Sequence, residues 1–251
     1  MLECVLNVSE GRDDAVIAAL RRAAGSQLLD LHSDPDHHRS VLTLGGAQVE
    51  EAARRLTAEA VATIDLRAHR GAHPRIGVAD VVPFVPLAGA TMADAMRARD
   101  RFADWAGTEL GVPCFIYGPE RSLPEVRRSA FAGLAPDTGP RQAHATAGAI
   151  AVGARAVLVA YNLWLADGVS LERARAVAST LRGPSVRSLG LQVGSAVQVS
   201  CNLLEPLAFG PDAAYDAVAA LVPVARAELV GLIPAAVLSA IPPNRWPVLD
   251  L

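Results

Sequence analysis

The sequence predicts an α+β fold in which two ferredoxin-like α/β sandwich subdomains lie side by side with a substrate cleft between them. Apolar strand segments alternate with amphipathic helical segments, and hairpins rather than strict crossovers join many of the strands. The same rhythm repeats on a smaller scale in the second half. With 251 residues, 51% of them hydrophobic, the chain can bury a sizeable core in one large domain or in two small ones. We place the boundary near Gly153, giving subdomains 1–152 and 153–251.

The first half carries clear helix and strand periods. Apolar alternation predicts strands, and apolar residues at every third or fourth position predict helices, as in Ala52, Leu56 and Ala60. Two prolines in the strand 81–86 predict an edge position or a bulge. The predicted order is strand 3–8, helix 13–24, strands 27–31 and 40–44, helix 49–63, strand 81–86, helix 93–110 and strand 113–117.

The second half follows a loop, 136–148, that is rich in proline and glycine and has neither period. The predicted elements after it are strand 157–162, helix 171–182, strands 188–192 and 197–202, and helix 212–228. Three prolines after Leu238 exclude a continued helix there.

Composition excludes several classes of function. A net charge of -3 argues against a nucleic-acid partner, and the absence of lysine rules out Schiff-base chemistry, so guanidinium groups would meet any substrate carboxylate. Three scattered cysteines have no metal-ligand spacing and are expected to be buried. Without a basic-then-apolar leader or an apolar span, we expect a cytoplasmic protein with no membrane partner.

The segment 70–77, Arg-Gly-Ala-His-Pro-Arg-Ile-Gly, is the most informative stretch of the chain. Pro74 excludes the helical region for His73, and the flanking glycines allow sharp turns. If Arg70 and Arg75 face the ring, they keep the imidazole neutral, which is the form that accepts a proton. We therefore predict a general base at His73; the alternative is a surface histidine in a turn.

Polar residues also end three strands and fill two loops. Asn7, Asn162 and Asn202 each close an apolar run, which hints at a shared polar site, although asparagine ends many ordinary strands. In the turn 7–12, Ser9 or Asp13 would cap a helix while Glu10 or Arg12 faces a cleft.

The segment 34–39, Asp-Pro-Asp-His-His-Arg, is the densest polar cluster. Adjacent ligands rarely chelate one ion, so a substrate-facing loop with Arg39 as an anion clamp is favoured over a metal site. The loop 140–148, with His144 and Thr146, could hydrogen-bond a flat heterocycle or be a plain connection. No phosphate-binding glycine loop or serine-hydrolase elbow is present.

Taken together, these segments resemble the formiminotransferase domain of glutamate formimidoyltransferase, the transferase part only of the formiminotransferase-cyclodeaminase family. The segments that carry the resemblance are 7–12, 34–41, 71–77 with Asp80, Pro136-Asp137, Gly139-Pro140, Gly148, 153–155 and 229–232.

The resemblance implies transfer of a formimino group from N-formimino-glutamate to N5 of tetrahydrofolate, a co-substrate, as in histidine degradation. It implies no metal, a substrate cleft between the subdomains and a homodimer. His73 matches the family's catalytic base. The implied folate-binding residues are Gly139, Pro140, Arg141, His144, Thr146 and Gly148; the implied substrate-binding residues are Asn7, Glu10, Arg12, Arg39, Arg75, Asn162, Asn202 and Glu228.

Some residues depart from the expected family pattern. His32 replaces an acidic residue, His38 an asparagine, Trp164 a small residue or asparagine, and Arg226-Ala227 a Gly-Ser pair. These changes could alter the accepted donor. They keep open a paralogue that binds folate or an acidic metabolite with a different one-carbon reaction or no transferase activity. A third alternative is a metal-dependent amidohydrolase built on residues 34–38.

Overall fold

A computed structural model describes residues 1–71 and 73–251; Ala72, in the segment 70–77, lies outside the described residues. The chain forms two compact units, Met1–Ala156 and Val157–Leu251, each with its own β-sheet. The predicted α+β class is confirmed. The finer expectation, two ferredoxin-like subdomains with a cleft, stays a prediction. The sequence-based boundary at 152/153 falls inside a strand, and the two units separate after Ala156.

The first unit contains a six-stranded mixed sheet with the order β2-β3-β1-β4-β6-β5. Its parallel pairs are β4 with β6 and β6 with β5. The elements are β1 Leu2–Val8, α1 Asp14–Ala24, β2 Leu28–Asp34, β3 Arg39–Gly45, α2 Val49–Thr63, β4 Ala79–Pro86, α3 Met92–Glu109, β5 Cys114–Tyr117, α4 Leu123–Ser129 and β6 Ile150–Ala154; two 3-10 turns cover Gly25–Gln27 and Leu66–Ala68.

Helix caps and apolar faces explain why these helices form. Asp13 accepts hydrogen bonds from the amides of Ala15 and Val16 at the start of α1. Thr91 and Asp94 form a reciprocal capping box at the start of α3. Ala52, Leu56 and Ala60 are fully buried on one face of α2, and they join the apolar core of the sheet.

The prolines of β4 do not mark an edge strand. This strand lies between β1 and β6, in the sheet interior, so the edge prediction was wrong. The predicted alternative was a bulge at the prolines. The β1–β4 register does shift between Asn7 and Val8, but this shift lies opposite Ala79–Val81 and not at either proline. Two short elements of the first unit, α4 and β6, were not predicted. The first begins at a Ser122–Glu125 capping box, and the second is rich in alanine and glycine, which have weak strand propensity.

The second unit contains a four-stranded antiparallel sheet with the order β10-β7-β9-β8. Its elements are β7 Val159–Leu165, α5 Leu171–Leu181, β8 Val186–Val193, β9 Ala196–Leu203, α6 Pro211–Ala219, β10 Val224–Val230, α7 Ala235–Ala240 and α8 Trp246–Leu249, with a 3-10 turn at Pro243–Arg245. The predicted helix 212–228 was wrong in its second half. The helix ends before Pro223, which cannot donate a helical hydrogen bond, and β10 then pairs with β7.

Within the part of the chain that the structure describes, no helix combines the length and apolarity that crossing a bilayer requires.

Candidate active site

Asp80 organises the centre of the candidate site in the first unit. Its carboxylate is fully buried and accepts hydrogen bonds from Arg39 Nη1 at 2.8 Å, Arg127 Nη2 at 2.6 Å and the Ile76 amide at 2.7 Å. Burial alone would raise the pKa of Asp80, but the two guanidinium groups and the amide outweigh it and hold the pKa below its usual range. One buried anion therefore ties together β3, β4 and α4.

Arg39 is held by two partners on neighbouring strands. Its Nε and Nη2 atoms donate to Asn7 Oδ1 at 3.0 and 2.9 Å, while Nη1 donates to Asp80. The structure thus brings Asn7 and Arg39 into direct contact. Because the guanidinium is 9% exposed and already bonded on both sides, its position is fixed by the protein itself.

Glu10 shapes the turn between β1 and α1. Its Oε1 atom accepts hydrogen bonds from the amides of Gly11, Arg12 and Asp13 at 2.8, 2.7 and 3.0 Å, and lies 3.3 Å from His38 Nδ1. These hydrogen bonds hold Glu10 Oε1 within the turn, so this atom stabilises the turn rather than a bound ligand. Asp13 is the residue that caps α1, one of the two alternatives predicted.

The side chain of Arg12 has fewer hydrogen bonds within the protein than those of Asp80, Arg39 and Glu10. Arg12 is exposed, and among the described residues the one hydrogen bond of its side chain runs from Nε to the Pro35 carbonyl at 2.6 Å. Its two terminal amino groups remain available as donors to an anion.

His73 is held in one tautomer by the residue that follows it. Its Nδ1 atom lies 2.7 Å from the carbonyl oxygen of Pro74. A carbonyl only accepts, so Nδ1 carries the proton and, in the neutral ring, Nε2 carries the lone pair. Nε2 forms no hydrogen bond with any described residue. Burial and then the charges of Arg39 and Arg127 lower the pKa of His73 to about 3. The ring is therefore neutral at physiological pH, with its basic nitrogen unoccupied.

The arginines around His73 act differently from the prediction. Arg75 braces the backbone rather than the ring: its Nε and Nη2 atoms donate to the His73 carbonyl at 3.1 and 2.6 Å, and Nη2 also donates to the His37 carbonyl. Arg70 donates to the carbonyls of Arg67 and His69. The cations that depress the imidazole pKa come from β3 and α4, which the local sequence could not indicate.

A second imidazole pair lies beside this segment. The rings of His38 and His69 stack with their centroids 3.9 Å apart, and Arg75 Nη1 lies 2.8 Å from His69 Nε2. Burial first, and then the charge of Arg75, lower the pKa of His69 to about 4. His38, a departure from the family pattern, is thus a packing partner of the segment that carries His73.

The loop 139–148 is joined to the segment 76–78. The Val78 amide donates to the Ala147 carbonyl at 2.9 Å, and Gly77 lies opposite Gly148 in an isolated bridge. Gly148 has a φ of 72°, and a Cβ there would lie 2.3 Å from the Ile76 carbonyl oxygen, so glycine is required. The structure therefore brings the expected folate loop beside the expected catalytic segment.

An open cavity of about 340 Å³ lies between these two segments and α4. His144 and Gly148 line it, and the other expected folate residues, Gly139, Pro140, Arg141 and Thr146, are not among its lining residues. The amides of Thr146 and Ala147 donate to His144 Nδ1 at 3.3 and 3.0 Å, which fixes the orientation of that ring. The remaining lining residues are Leu66, Arg67, Ile76, Arg127, Ala130, Phe131, Ala143 and Ala145.

Arg127 is the site residue that the sequence did not indicate. Besides its bond to Asp80, its Nη1 atom donates to the Pro74 carbonyl, the same acceptor that His73 uses. It lies on α4, a helix that was not predicted. No spacing signal links position 127 to positions 73–80.

In the second unit, Asn162 and Glu228 meet across the β7–β10 pair. Asn162 Nδ2 and Trp164 Nε1 each donate to Glu228 Oε2 at 2.9 Å. The guanidinium of Arg226 lies 4.3 Å from the centre of the Trp164 ring, a cation–π distance. Trp164 and Arg226, two residues that depart from the family pattern, therefore contact each other beside Glu228, an expected substrate-binding residue.

The three strand-ending asparagines do not share one sheet. Asn202 is exposed on β9 opposite Ala160, so it lies on the same face as Asn162. Asn7 belongs to the sheet of the first unit.

The acidic and histidine-rich turn 34–38 is built by its own hydrogen bonds. Asp34 Oδ1 accepts from the amides of Asp36 and His37 at 2.8 and 2.7 Å, closing the β2–β3 hairpin. Across residues 1–71 and 73–251, no cluster of three or more His, Cys, Asp or Glu side chains is arranged to hold a metal ion.

Comparison with known proteins decides the family. Residues 1–155 match the model of the formiminotransferase domain, N-terminal subdomain. The chain belongs to the formiminotransferase family. It is 41% identical over 204 residues to a glutamate formimidoyltransferase of Streptococcus pyogenes serotype M1, covering 73% of this chain and 68% of that protein. It is 35% identical over 270 residues to a glutamate formimidoyltransferase of Thermoplasma acidophilum, covering 93% and 88%.

The family also contains longer members. The chain is 34% identical over 273 residues to the formimidoyltransferase-cyclodeaminase of Sus scrofa and spans about half the length of that protein, 50%, with 93% of itself aligned. The predicted resemblance to this family, and the prediction of a transferase-type enzyme, are confirmed.

Proposed function

We propose that this formiminotransferase family member transfers a formimino group from N-formimino-glutamate to N5 of tetrahydrofolate, with His73 as the general base. The observation that carries the proposal is the His73 Nδ1 to Pro74 carbonyl distance of 2.7 Å, which leaves Nε2 as a proton acceptor. Two relatives that are 41% and 35% identical are named glutamate formimidoyltransferase, which supports a formimidoyl transfer that involves glutamate. The choice of tetrahydrofolate as acceptor rests on the resemblance to the family.

The reaction needs one group that first takes a proton and then returns it. N5 attacks the amidine carbon of the donor, and its proton passes to His73 Nε2. The tetrahedral intermediate then breaks its bond to the glutamate nitrogen, which takes the proton back from Nε2 and leaves as an amine. A pKa lowered to about 3 keeps the resting ring unprotonated but makes Nε2 a weak base. N5 becomes cationic, and therefore acidic, as it attacks, so it can give its proton to this base, and the resulting imidazolium is a ready donor to the departing amine.

The remaining groups are proposed to bind or to position the substrates. We assign the loop 139–148 to tetrahydrofolate because His144 and Gly148 line the cavity. Asn7, Glu10, Arg39 and Arg75 are proposed to act by holding the site in shape, since their polar atoms are already bonded within the first unit. Arg12 is proposed to meet a carboxylate of the donor. Asn162, Asn202 and Glu228 stay proposals from the resemblance, as do the homodimer and the cytoplasmic location.

The test is product formation by the purified chain. We expect 5-formimino-tetrahydrofolate to accumulate from N-formimino-glutamate and tetrahydrofolate, and glutamate to appear in equal amount. The product is followed by its absorbance and by mass spectrometry, with and without chelator, and light scattering reports the oligomeric state. Chelator-sensitive release of ammonia without folate would instead favour the amidohydrolase alternative.

A second candidate is a paralogue that binds folate or an acidic metabolite but runs a different one-carbon reaction or none. The observation that favours it is the Trp164–Arg226 contact beside Glu228, which places a bulky pair where the family pattern has small residues. Folate binding without turnover of N-formimino-glutamate would support this candidate and overturn the first.

A further inference from the structure

Phe131 has a backbone conformation that large side chains avoid. Its φ is 61°, in the left-handed region, and it follows the end of α4 in a tight turn. The turn is closed by hydrogen bonds from the Phe131 amide to the Leu134 carbonyl at 3.0 Å and from the Leu134 amide to the Ser129 carbonyl at 2.9 Å. Glycine or asparagine would satisfy this turn at lower cost, so the ring itself needs an explanation.

The ring of Phe131 forms part of the cavity wall. One side packs edge-to-face on Phe115, with centroids 5.0 Å apart and planes at 88°. Phe115 is fully buried, whereas 43% of Phe131 stays exposed and lines the cavity together with Leu66 and Ile76. The left-handed turn therefore presents an aromatic surface to the cavity, supported from behind by a second ring.

The same wall is connected to His73. Arg127 lies on α4 four residues before Phe131 and donates to the Pro74 carbonyl that also accepts from His73 Nδ1. Three of the five N–H groups of Arg127 remain beyond the bonds to Asp80 and Pro74. His73 and Pro74 are not among the residues that line the cavity, so Arg127 is the link between them. A ligand ring against Phe131 would lie beside a guanidinium that holds the Pro74 carbonyl and is able to donate to ring carbonyl and nitrogen atoms.

We propose that Phe131 is a specificity-determining residue that stacks on the pterin ring of tetrahydrofolate. The inference rests on the proposed function and names the part of the folate that this cavity receives. A volume of about 340 Å³ is near the lower end for ligand sites, which suits one bicyclic ring rather than a whole folate. The planar pyrimidine portion of the pterin offers a π-face, and aromatic side chains bind such faces largely by stacking.

The test compares two ligands and three variants. Dissociation constants of tetrahydrofolate and of 6-methyltetrahydropterin, which lacks the aminobenzoyl-glutamate part, are measured for the wild type, Phe131→Leu and Phe131→Tyr. Leucine keeps apolar bulk but has no ring face, so we expect both ligands to bind about tenfold more weakly. Tyrosine keeps the ring and is expected to bind both within about twofold of the wild type.

Phe115→Leu is the matched control for folding. It removes the same ring–ring contact from the buried side, and Phe115 is not among the residues that line the cavity. We expect it to lower the thermal midpoint at least as much as Phe131→Leu while weakening pterin binding much less than Phe131→Leu does, because the stacking face of Phe131 is retained. If both variants weaken pterin binding equally, the effect is structural and the inference is overturned.

Other outcomes also decide the question. Weaker binding of tetrahydrofolate but not of the pterin by Phe131→Leu would place the ring against the aminobenzoyl group, and it would overturn the assignment. Unchanged affinity for both ligands, or a wild type that does not bind the pterin, would overturn it as well. If the wild type turns over N-formimino-glutamate in the same preparations, such a result leaves the proposed function intact. A wild type without turnover contradicts the proposed function itself.

Discussion

The Nδ1 atom of His73 lies 2.7 Å from the carbonyl oxygen of Pro74, its own neighbour in the chain. Many catalytic histidines are oriented by a carboxylate from elsewhere in the fold. Here a peptide carbonyl fixes the tautomer. Arg127 donates a hydrogen bond to that carbonyl, of Pro74, and Arg75 donates to the carbonyl of His73 itself. The base therefore depends on a rigid backbone, and changes that move this backbone are expected to affect the reaction.

Replacing the buried anion should disturb both stability and activity. Asp80→Asn leaves Arg39 and Arg127 without a counter-charge in the interior. We expect the free energy of unfolding to fall by about 3 kcal/mol, as for other buried pairs that lose one partner. Urea unfolding measures this loss, and the same preparation should show reduced turnover.

Glu50→Gln is the control for this substitution. It breaks the exposed pair with Arg101, and such surface pairs contribute less than about 1 kcal/mol. If Asp80→Asn proved as stable as Glu50→Gln, the buried network would not have the structural role given to it here.

A single methyl group at Gly71 should displace the segment that carries His73. A Cβ there would lie 2.4 Å from the His37 carbonyl oxygen and 2.8 Å from His38 Cβ. Because the nearest atom belongs to the backbone, the two segments must move apart. We expect kcat/KM of Gly71→Ala to fall by about tenfold or more, since a shift of about 1 Å can cost 10²-fold.

Gly183→Ala provides the comparison, because a Cβ at Gly183 meets no atom within 4 Å. Its activity should match the wild type. Equal kcat/KM for the two alanine variants would show that the 37–38 and 71–75 segments do not need their close approach.

Stability should fall on mild acidification because of the neutral histidines. The pKa values of His69 and His73 are lowered to about 4 and about 3, whereas the unfolded chain titrates near 6.5. Between these values the unfolded state binds more protons, so the free energy of unfolding decreases as pH falls from about 6.5 towards 4. Above pH 6.5 neither state is protonated, and this loss disappears.

His69→Gln isolates one of these groups. Urea unfolding at pH 7, 6 and 5 should give a shallower decrease for the variant than for the wild type, since glutamine does not titrate. Parallel curves for the two proteins would mean that His69 is not held in its neutral form in the folded state.

The sequence predicted those parts of the fold that local patterns determine. Helix α2 was predicted with its observed bounds because residues 49–63 keep one apolar period without glycine or proline. Strand β10 was predicted as a helix because its alanines, Arg226 and Glu228 favour helices in isolation, and only pairing with β7 makes it extended.

In the candidate site, too, the features that depend on neighbouring residues could be predicted from the sequence. His73 and the restriction by Pro74 are neighbours in sequence, so the base could be inferred from the segment alone. The contacts of Asp80 with Arg39 and Arg127 join residues 41 and 47 positions apart, and no spacing rule connects them. Arg39, expected to clamp a ligand anion, is instead bonded to Asn7 and Asp80, a distinction that needs the geometry of three strands.

The most direct test of His73 as the base is single-turnover formation of 5-formimino-tetrahydrofolate by the wild type and His73→Ala. We expect a rate at least about 100-fold lower for the variant, the usual range for a lost general base, with the affinity for tetrahydrofolate unchanged within about twofold. A His73→Ala protein that folds, binds tetrahydrofolate and forms the product at the wild-type rate would contradict His73 as the base.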